Sequence, residues 1–417
     1  RYPRTVLSFW TGKNFIMNKQ YDNFLKILNT AITGNVSELN EPDFKLLSNL
    51  AFQQEVAPIF LEGAIKYSEF TVAPVAVKAE LISKSTSSVV TQTQNTAEFY
   101  SIYQELISAG LKPIILKGLI CRKSYGKLEN HRGSGDEDIY IPKNDFPLCR
   151  RILSENGYTT EDENVFSERY FQKAQTVGYQ NSNNSLKLEI HLNLFGTQNP
   201  IRIAMNHVFD EALAVPYRVD FDGNELYTLD PTNHYLFLLL HYLKHFMTTG
   251  AGIRHVSDLA VFGNKYKNEI DFASAEQKFL EFIGSSFYAD TVEIMRLLGG
   301  TESSDAEQLD ADSLCEDLLN GGTFGLDDKE LNYASTFIFS KTGGSRFGLF
   351  RSVFPSYDLM AAMHPELYDK PWKLPSVYYK RIAKYLKNKR NAELEKDAIK
   401  KCNKRINLIN NYGLKKK

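Results

Sequence analysis

Cysteine is scarce in this chain: four in 417 residues, at Cys121, Cys149, Cys315 and Cys402. None pairs as CxxC, which argues against a thiolate zinc site and a disulfide framework, and fits a reducing compartment. Long apolar runs are also lacking. The longest, Tyr235 to Leu240, is soon followed by His241, Lys244 and His245, far short of the roughly 20 residues that span a bilayer. The first residues lack the apolar core of a signal peptide. No fixed-period repeat is visible, which excludes a solenoid. Net charge is nearly absent, at −1, so the overall balance selects no polyionic partner. These absences together predict a globular, cytoplasmic protein with no transmembrane segment.

What is present is an ordinary core composition, 43% hydrophobic and 24% charged, with length for one to three domains. Charge is uneven locally. Residues 301–330 carry ten acids against one lysine, and residues 379–417 carry fourteen bases against three acids. The first stretch reads as an acidic loop. The second reads as a basic tail with Tyr378, Tyr379 and Tyr385 nearby, either a solvated helix or a surface for RNA, an acidic partner or an anionic membrane.

Periodicity divides the rest. Residues 1–16 read as a non-native or disordered leader ahead of a start at Met17. Residues 17–110 read as helical, ending in a long helix from Val77 to Ala109. Residues 111–229 form an α/β-patterned core. Residues 230–300 are helical again, opened by Asp230 as N-cap and Pro231 at the first helical position. Residues 331–417 form a helical C-terminal region carrying the basic tail. The fold class is therefore α+β.

The core turns on Leu111 to Pro142. Lys112 to Leu116 is a β-branched run, Lys117-Gly118 a break, and Leu119 to Tyr125 a short helix. Gly133-Ser134-Gly135 then precedes a second strand, Asp136 to Ile141, with the expected role of flexibility. Asp136 and Asp138, at i and i+2, share one strand face. Glu137 points the other way and puts a charge on the face expected to be buried. A third acid, Glu189, alternates with Lys187 and His191 on one face of the strand Leu186 to Leu192. Three acids on two strands suit Mg²⁺ (or Mn²⁺), a hard ion that takes oxygen ligands and leaves room for substrate phosphates. Lys117, Gly118 and the following helix N-terminus are candidates for phosphate binding, as is the forked guanidinium of Arg132. Each also has a plain reading: a βα turn with an exposed lysine, or solvated aspartates at a strand edge. His241 and His245 share a helix face. They read as a hydrogen-bonded pair in a helical layer or as metal ligands. His191 is a neighbour for Glu189.

In order and spacing, Leu116-Lys117-Gly118, Arg132 to Ile139, Leu188 to His191, and Leu236 to His245 followed by Arg254 and Asp258-Leu259 resemble the uncharacterised bacterial nucleotidyltransferases of the polymerase-beta-like superfamily. The resemblance implies a small mixed β-sheet with helices packed on it. It implies transfer of a nucleoside monophosphate from an NTP, with ATP among the donors, and release of pyrophosphate. Asp136 and Asp138 would bind metal, with Glu189 as third acid. Lys-Gly stands where the superfamily usually has Gly-Ser, and Glu137 stands where a hydrophobic residue is usual. The acceptor, a small molecule, an RNA or a protein, is left open. So are a nucleotide-binding module without turnover and a partner-binding role for the tail.

Overall fold

The computed structural model describes residues 18–160, 174–197, 200–248, 250–300, 311–321 and 364–388, with single positions between 357 and 361 and most of 405–413. The expected leader and most of the acidic stretch lie outside the described residues.

The N-terminal region is helical, as its periodicity predicts. Helix α1 (Lys19–Thr33) starts on Asn18, whose side chain accepts the Gln20 N–H, and ends on Gly34 at φ 84°. It is followed by α2 (Phe44–Gln53), α3 (Ala57–Ala64), the single turn α4 (Ser68–Thr71) and the 34-residue α5 (Val75–Ser108). Phe24, Ile27 and Leu28 form the buried stripe of α1. This stripe packs on α3. The two backbones meet at Gly63, where a Cβ would lie 2.0 Å from the Ile27 carbonyl oxygen.

Among the described residues seven strands make one mixed sheet, in the order β3-β4-β5-β2-β1-β7-β6. They are β1 (Ile114–Ile115), β2 (Glu137–Tyr140), β3 (Tyr158–Thr159), β4 (Thr176–Asn181), β5 (Lys187–His191), β6 (Tyr217–Phe221) and β7 (Asn224–Thr228). The pairs β2–β5 and β1–β7 are parallel, and the rest are antiparallel. β1 is only two residues long, yet it is held from three sides. Leu116 N–H donates to the Asp138 carbonyl at 3.0 Å. The Thr228 hydroxyl donates to the Ile115 carbonyl at 2.7 Å. Tyr103 on α5 donates to the Pro113 carbonyl and accepts the Tyr227 N–H. The long helix thus fixes β1 against β7.

Helix α6 (Leu119–Ser124) follows β1, and α7 (Phe146–Glu155) follows β2. Helices α8 (Pro200–His207) and α9 (Asp210–Ala214) lead to the β6–β7 hairpin. That hairpin turns at Asp222 and Gly223, both left-handed at φ 57° and 80°, the pattern of a type I′ turn.

Asp230 caps α10 (Pro231–Met247) by accepting from Thr232 and Asn233. Leu236, Leu239, Leu240 and Leu243 are all buried on it, each contributing roughly 1.5–3 kcal/mol of burial. It packs against α11 (Ile253–Lys265) and α12 (Phe272–Phe279). α11 in turn packs on α13 (Ser285–Leu297), α14 (Ala311–Gly321) and α6. That last contact joins the helical layer to the sheet. From the C-terminal region, Tyr412 donates to Asp290 at 2.7 Å, and Arg405 donates to the Phe246 carbonyl at 2.7 Å. One base of the expected tail is therefore buried inside the fold. Residues 389–400 of that tail lie outside the described residues, and no helix among those described is long and apolar enough to cross a membrane.

Candidate active site

The site begins with a register. β2 and β5 run parallel, and Asp138 pairs directly with Glu189, while Tyr140 pairs with His191. Alternation then puts Asp138, Glu189 and His191 on one face. Their ligand atoms all lie within 4.8 Å of one another. His191 Nε2 is 2.9 Å from Asp138 Oδ1 and 3.3 Å from Glu189 Oε2. Lys117 Nζ is 3.1 Å from the other Asp138 oxygen.

Asp136 sits just ahead of β2. Its carboxyl titrates above the usual range, first because of the Asp138 charge and then because of burial. Two like charges are being held close, and a divalent cation would relieve that repulsion. Burial disfavours charge on His191, yet its bonds to Asp138 and Glu189 raise it to about 9. Burial likewise opposes the Glu189 charge, but His191 outweighs it and holds the carboxylate ionised below the usual range. Lys117 is raised too, because Asp138, Asp136 and Glu189 together outweigh its burial. His191 and Lys117 therefore supply the positive charge these acids call for.

The loop that delivers Asp136 is pinned. Ser134 N–H donates to Gln92 on α5 at 2.7 Å, and Ser134 Oγ donates to the Asp136 carbonyl at 2.7 Å. Arg254 on α11 donates to the Gly133 carbonyl at 3.2 Å and to Glu55 at 2.5 Å. Gly133-Ser134-Gly135 is a fixed bracket, not the flexible joint that its composition suggests.

Two of the expected phosphate contacts are placed elsewhere. Arg132 is buried and spends its fork on Asp258, through Nε at 3.1 Å and Nη2 at 2.5 Å. Its remaining donors reach Gly133 and Ser134. Tyr125 donates to the same Asp258 carboxylate at 3.0 Å. Arg132 thus ties the loop to α11. Gly118 stands at φ 48°, and a Cβ there would lie 2.0 Å from Glu137 Oε2. Leu119 N–H donates to that same oxygen at 2.9 Å. The glycine serves the approach of Glu137, and the leading N–H of α6 is already taken. Lys117 alone of the three remains beside the carboxylates.

Glu137 is explained by the same contacts. It is 1% exposed, so its face is buried as alternation requires. Its charge is matched by Arg122 on α6, fully buried beside it. In sequence that partner stands fifteen positions upstream, with no pattern linking the two.

Other groups were not singled out for the site by sequence. Lys244 on α10 is lowered to about 8, by burial first; Glu189 opposes that, while Arg202 and Lys117 add to it. Arg254 feels the charge of Asp136. Cations from the turn after β1 and from α10 and α11 thus act on the acids. Alongside them, His241, His245 and His255 converge, with ligand atoms within 4.8 Å of one another. Burial, with neighbouring cations, keeps all three neutral.

The model of an uncharacterised nucleotidyltransferase family matches residues 40–282. The chain belongs to this family. The match takes in the sheet, the acid cluster and the helices α10 and α11 that face it. No curated protein and no solved structure matches the chain.

Proposed function

We propose that this family member is a Mg²⁺-dependent enzyme that moves an NMP from an NTP to an acceptor hydroxyl. The observation that carries the reading is the parallel register of Asp138 with Glu189, closed by His191; Asp136 lies outside that cluster but near enough to feel the Asp138 charge. The donor set fits the ion: carboxylate oxygens converge from Asp138 and Glu189 on paired strands, and Asp136 would be a further oxygen ligand from the pinned loop. When bound, Mg²⁺ would neutralise phosphate charge and polarise the reacting phosphorus.

The chain's own residues do the rest. Lys117, beside Asp138, and Lys244, which feels the Glu189 charge, attract and orient the phosphates. His191 fixes the rotamers of Asp138 and Glu189 by donating between them. Glu189 has a depressed proton affinity, which suits an oxygen ligand better than a general base. In the reaction, the acceptor oxygen forms a bond to the α-phosphorus, the α–β bridging bond breaks, and pyrophosphate leaves with the β-oxygen. The hydroxyl proton passes to solvent or to a site carboxylate.

The test uses the four α-labelled NTPs with Mg²⁺ and a cell extract as acceptor source. Label transfer with pyrophosphate release is expected from the wild type. Asp138→Asn and Asp136→Asn are expected to lose at least about 10³-fold of that rate with unchanged far-UV circular dichroism. Nucleotide binding without pyrophosphate release would instead favour a binding module. An unchanged rate in either variant would overturn the mechanism.

A further inference from the structure

Three histidines on α10 and α11 have no part in the reaction just described. His241 and His245 stand one turn apart on α10, and their Nε2 atoms are 3.2 Å apart. His255 comes from the first turn of α11. Its ring centroid lies 6.0 Å from that of His241 and 5.1 Å from that of His245. One nitrogen from each of the three falls within 4.8 Å of the others. His241 is buried, and the other two are half-buried.

We propose that His241, His245 and His255 form a binding site for a borderline transition-metal ion of the Zn²⁺, Co²⁺ or Ni²⁺ class, separate from the carboxylate site. The spacing supports it. Metal–imidazole bonds of about 2.0–2.1 Å at a tetrahedral angle put two ligand nitrogens about 3.3–3.4 Å apart. The His241–His245 pair is already at 3.2 Å. Bringing in the third needs a side-chain adjustment of at most about 1.5 Å, within the limit above. The ligand type supports it as well. Three imidazoles suit these ions and not Mg²⁺, which prefers oxygen.

His255 has the outer partner that metal-bound histidines use. Its Nδ1 is 3.3 Å from both the Gly252 carbonyl and the Gly252 N–H; in the tautomer that donates to the carbonyl, the Nε2 lone pair is left for a metal. Three protein ligands leave a fourth position for water or an anion. The charges of Lys117, Lys244, Arg202 and Arg254 all reach these rings; Lys117 is itself paired with Asp138 and Arg254 with Glu55, so their repulsion of a cation is partly offset.

The test is metal content and spectroscopy on the full chain, with no activity readout. Protein stripped with chelator is titrated with Co²⁺ and Zn²⁺ and dialysed, and metal is counted by mass spectrometry. The expected result is one retained equivalent, with the intense visible bands of tetrahedral Co²⁺. His245→Ala and His255→Ala, chosen because these two residues are less deeply buried than His241, are each expected to weaken binding at least about 100-fold. His245→Cys is expected to restore it with a shifted Co²⁺ spectrum. Asp138→Asn is expected to keep it. Failure of the wild type to retain either ion would overturn the proposal. So would loss of the ion in Asp138→Asn with retention in folded His245→Ala and His255→Ala, because the metal would then belong to the carboxylates. Neither result bears on whether NMP transfer occurs.

Discussion

Glu137→Gln is the most informative single change in the protein. Glu137 and Arg122 are each about 1% exposed in their side chains, so neither charge reaches water. Arg122 Nε and Nη2 have no hydrogen-bond partner among the described residues, so Glu137 is the group that offsets that guanidinium's desolvation. Glutamine keeps the size and an acceptor for Leu119 N–H. It removes the charge and, having one oxygen in place of two, the second acceptor, which faces Arg122. Stranding one member of a buried pair costs about 3–5 kcal/mol. For a cooperative unit of about 280 residues, with unfolding entropy of about 2.1 cal/mol/K per residue, that lowers Tm by about 5–9 °C. The assay is urea unfolding with thermal melting. The urea midpoint should fall while the slope stays constant, because the surface exposed on unfolding is unchanged. A second variant, Arg122→Met in the Glu137→Gln background, should recover at least half of the loss, since the stranded charge is then gone. If Glu137→Gln lies within about 1 kcal/mol of wild type, the guanidinium is being solvated and the burial argument is wrong. If the double variant is no better than the single, the cost comes from somewhere other than charge.

Three further outcomes follow from neighbouring contacts. Gly118→Ala puts a Cβ into Glu137 at a left-handed position; it should cost at least about 2 kcal/mol in unfolding free energy, and a neutral result would show that the turn can rebuild. Arg132→Lys cannot reproduce the fork on Asp258, so it should lower Tm by several degrees while leaving the KM for NTP within about twofold; a large KM change with an unchanged Tm would return Arg132 to the phosphates. His234 is buried against Thr228 and Phe262, and burial depresses it to about 3. It is neutral when folded but takes a proton near pH 6.5 when unfolded. Its contribution is therefore intact above pH 6.5 and is lost as pH falls towards 3, by about 2 kcal/mol at pH 5. His234→Gln should flatten the acid limb of the stability profile by that amount, and an unchanged limb would assign the acid sensitivity to other groups.

The sequence by itself determined what is local and periodic. Asp230-Pro231 announced a helix start because the cap and the fixed φ act within one turn. Alternation placed Glu189 and His191 on one face of β5, and Asp138 opposite Glu137 on β2, because a strand has a period of two. The pairing of chemistry across strands was not local. β3 and β4 are weakly patterned, and their strand character comes from the neighbours they meet. Only the tertiary structure decided that β2 lies parallel beside β5, which sets Asp138 against Glu189. It likewise decided that Arg132 faces Asp258, that Gly118 yields to Glu137, and that Arg122 answers Glu137. Charge pairs in a packed interior are chosen by which elements touch, and spacing along the chain carries no record of that. The three histidines divide in the same way: the helix period gave His241 and His245, and the packing of α11 on α10 brought His255 to them.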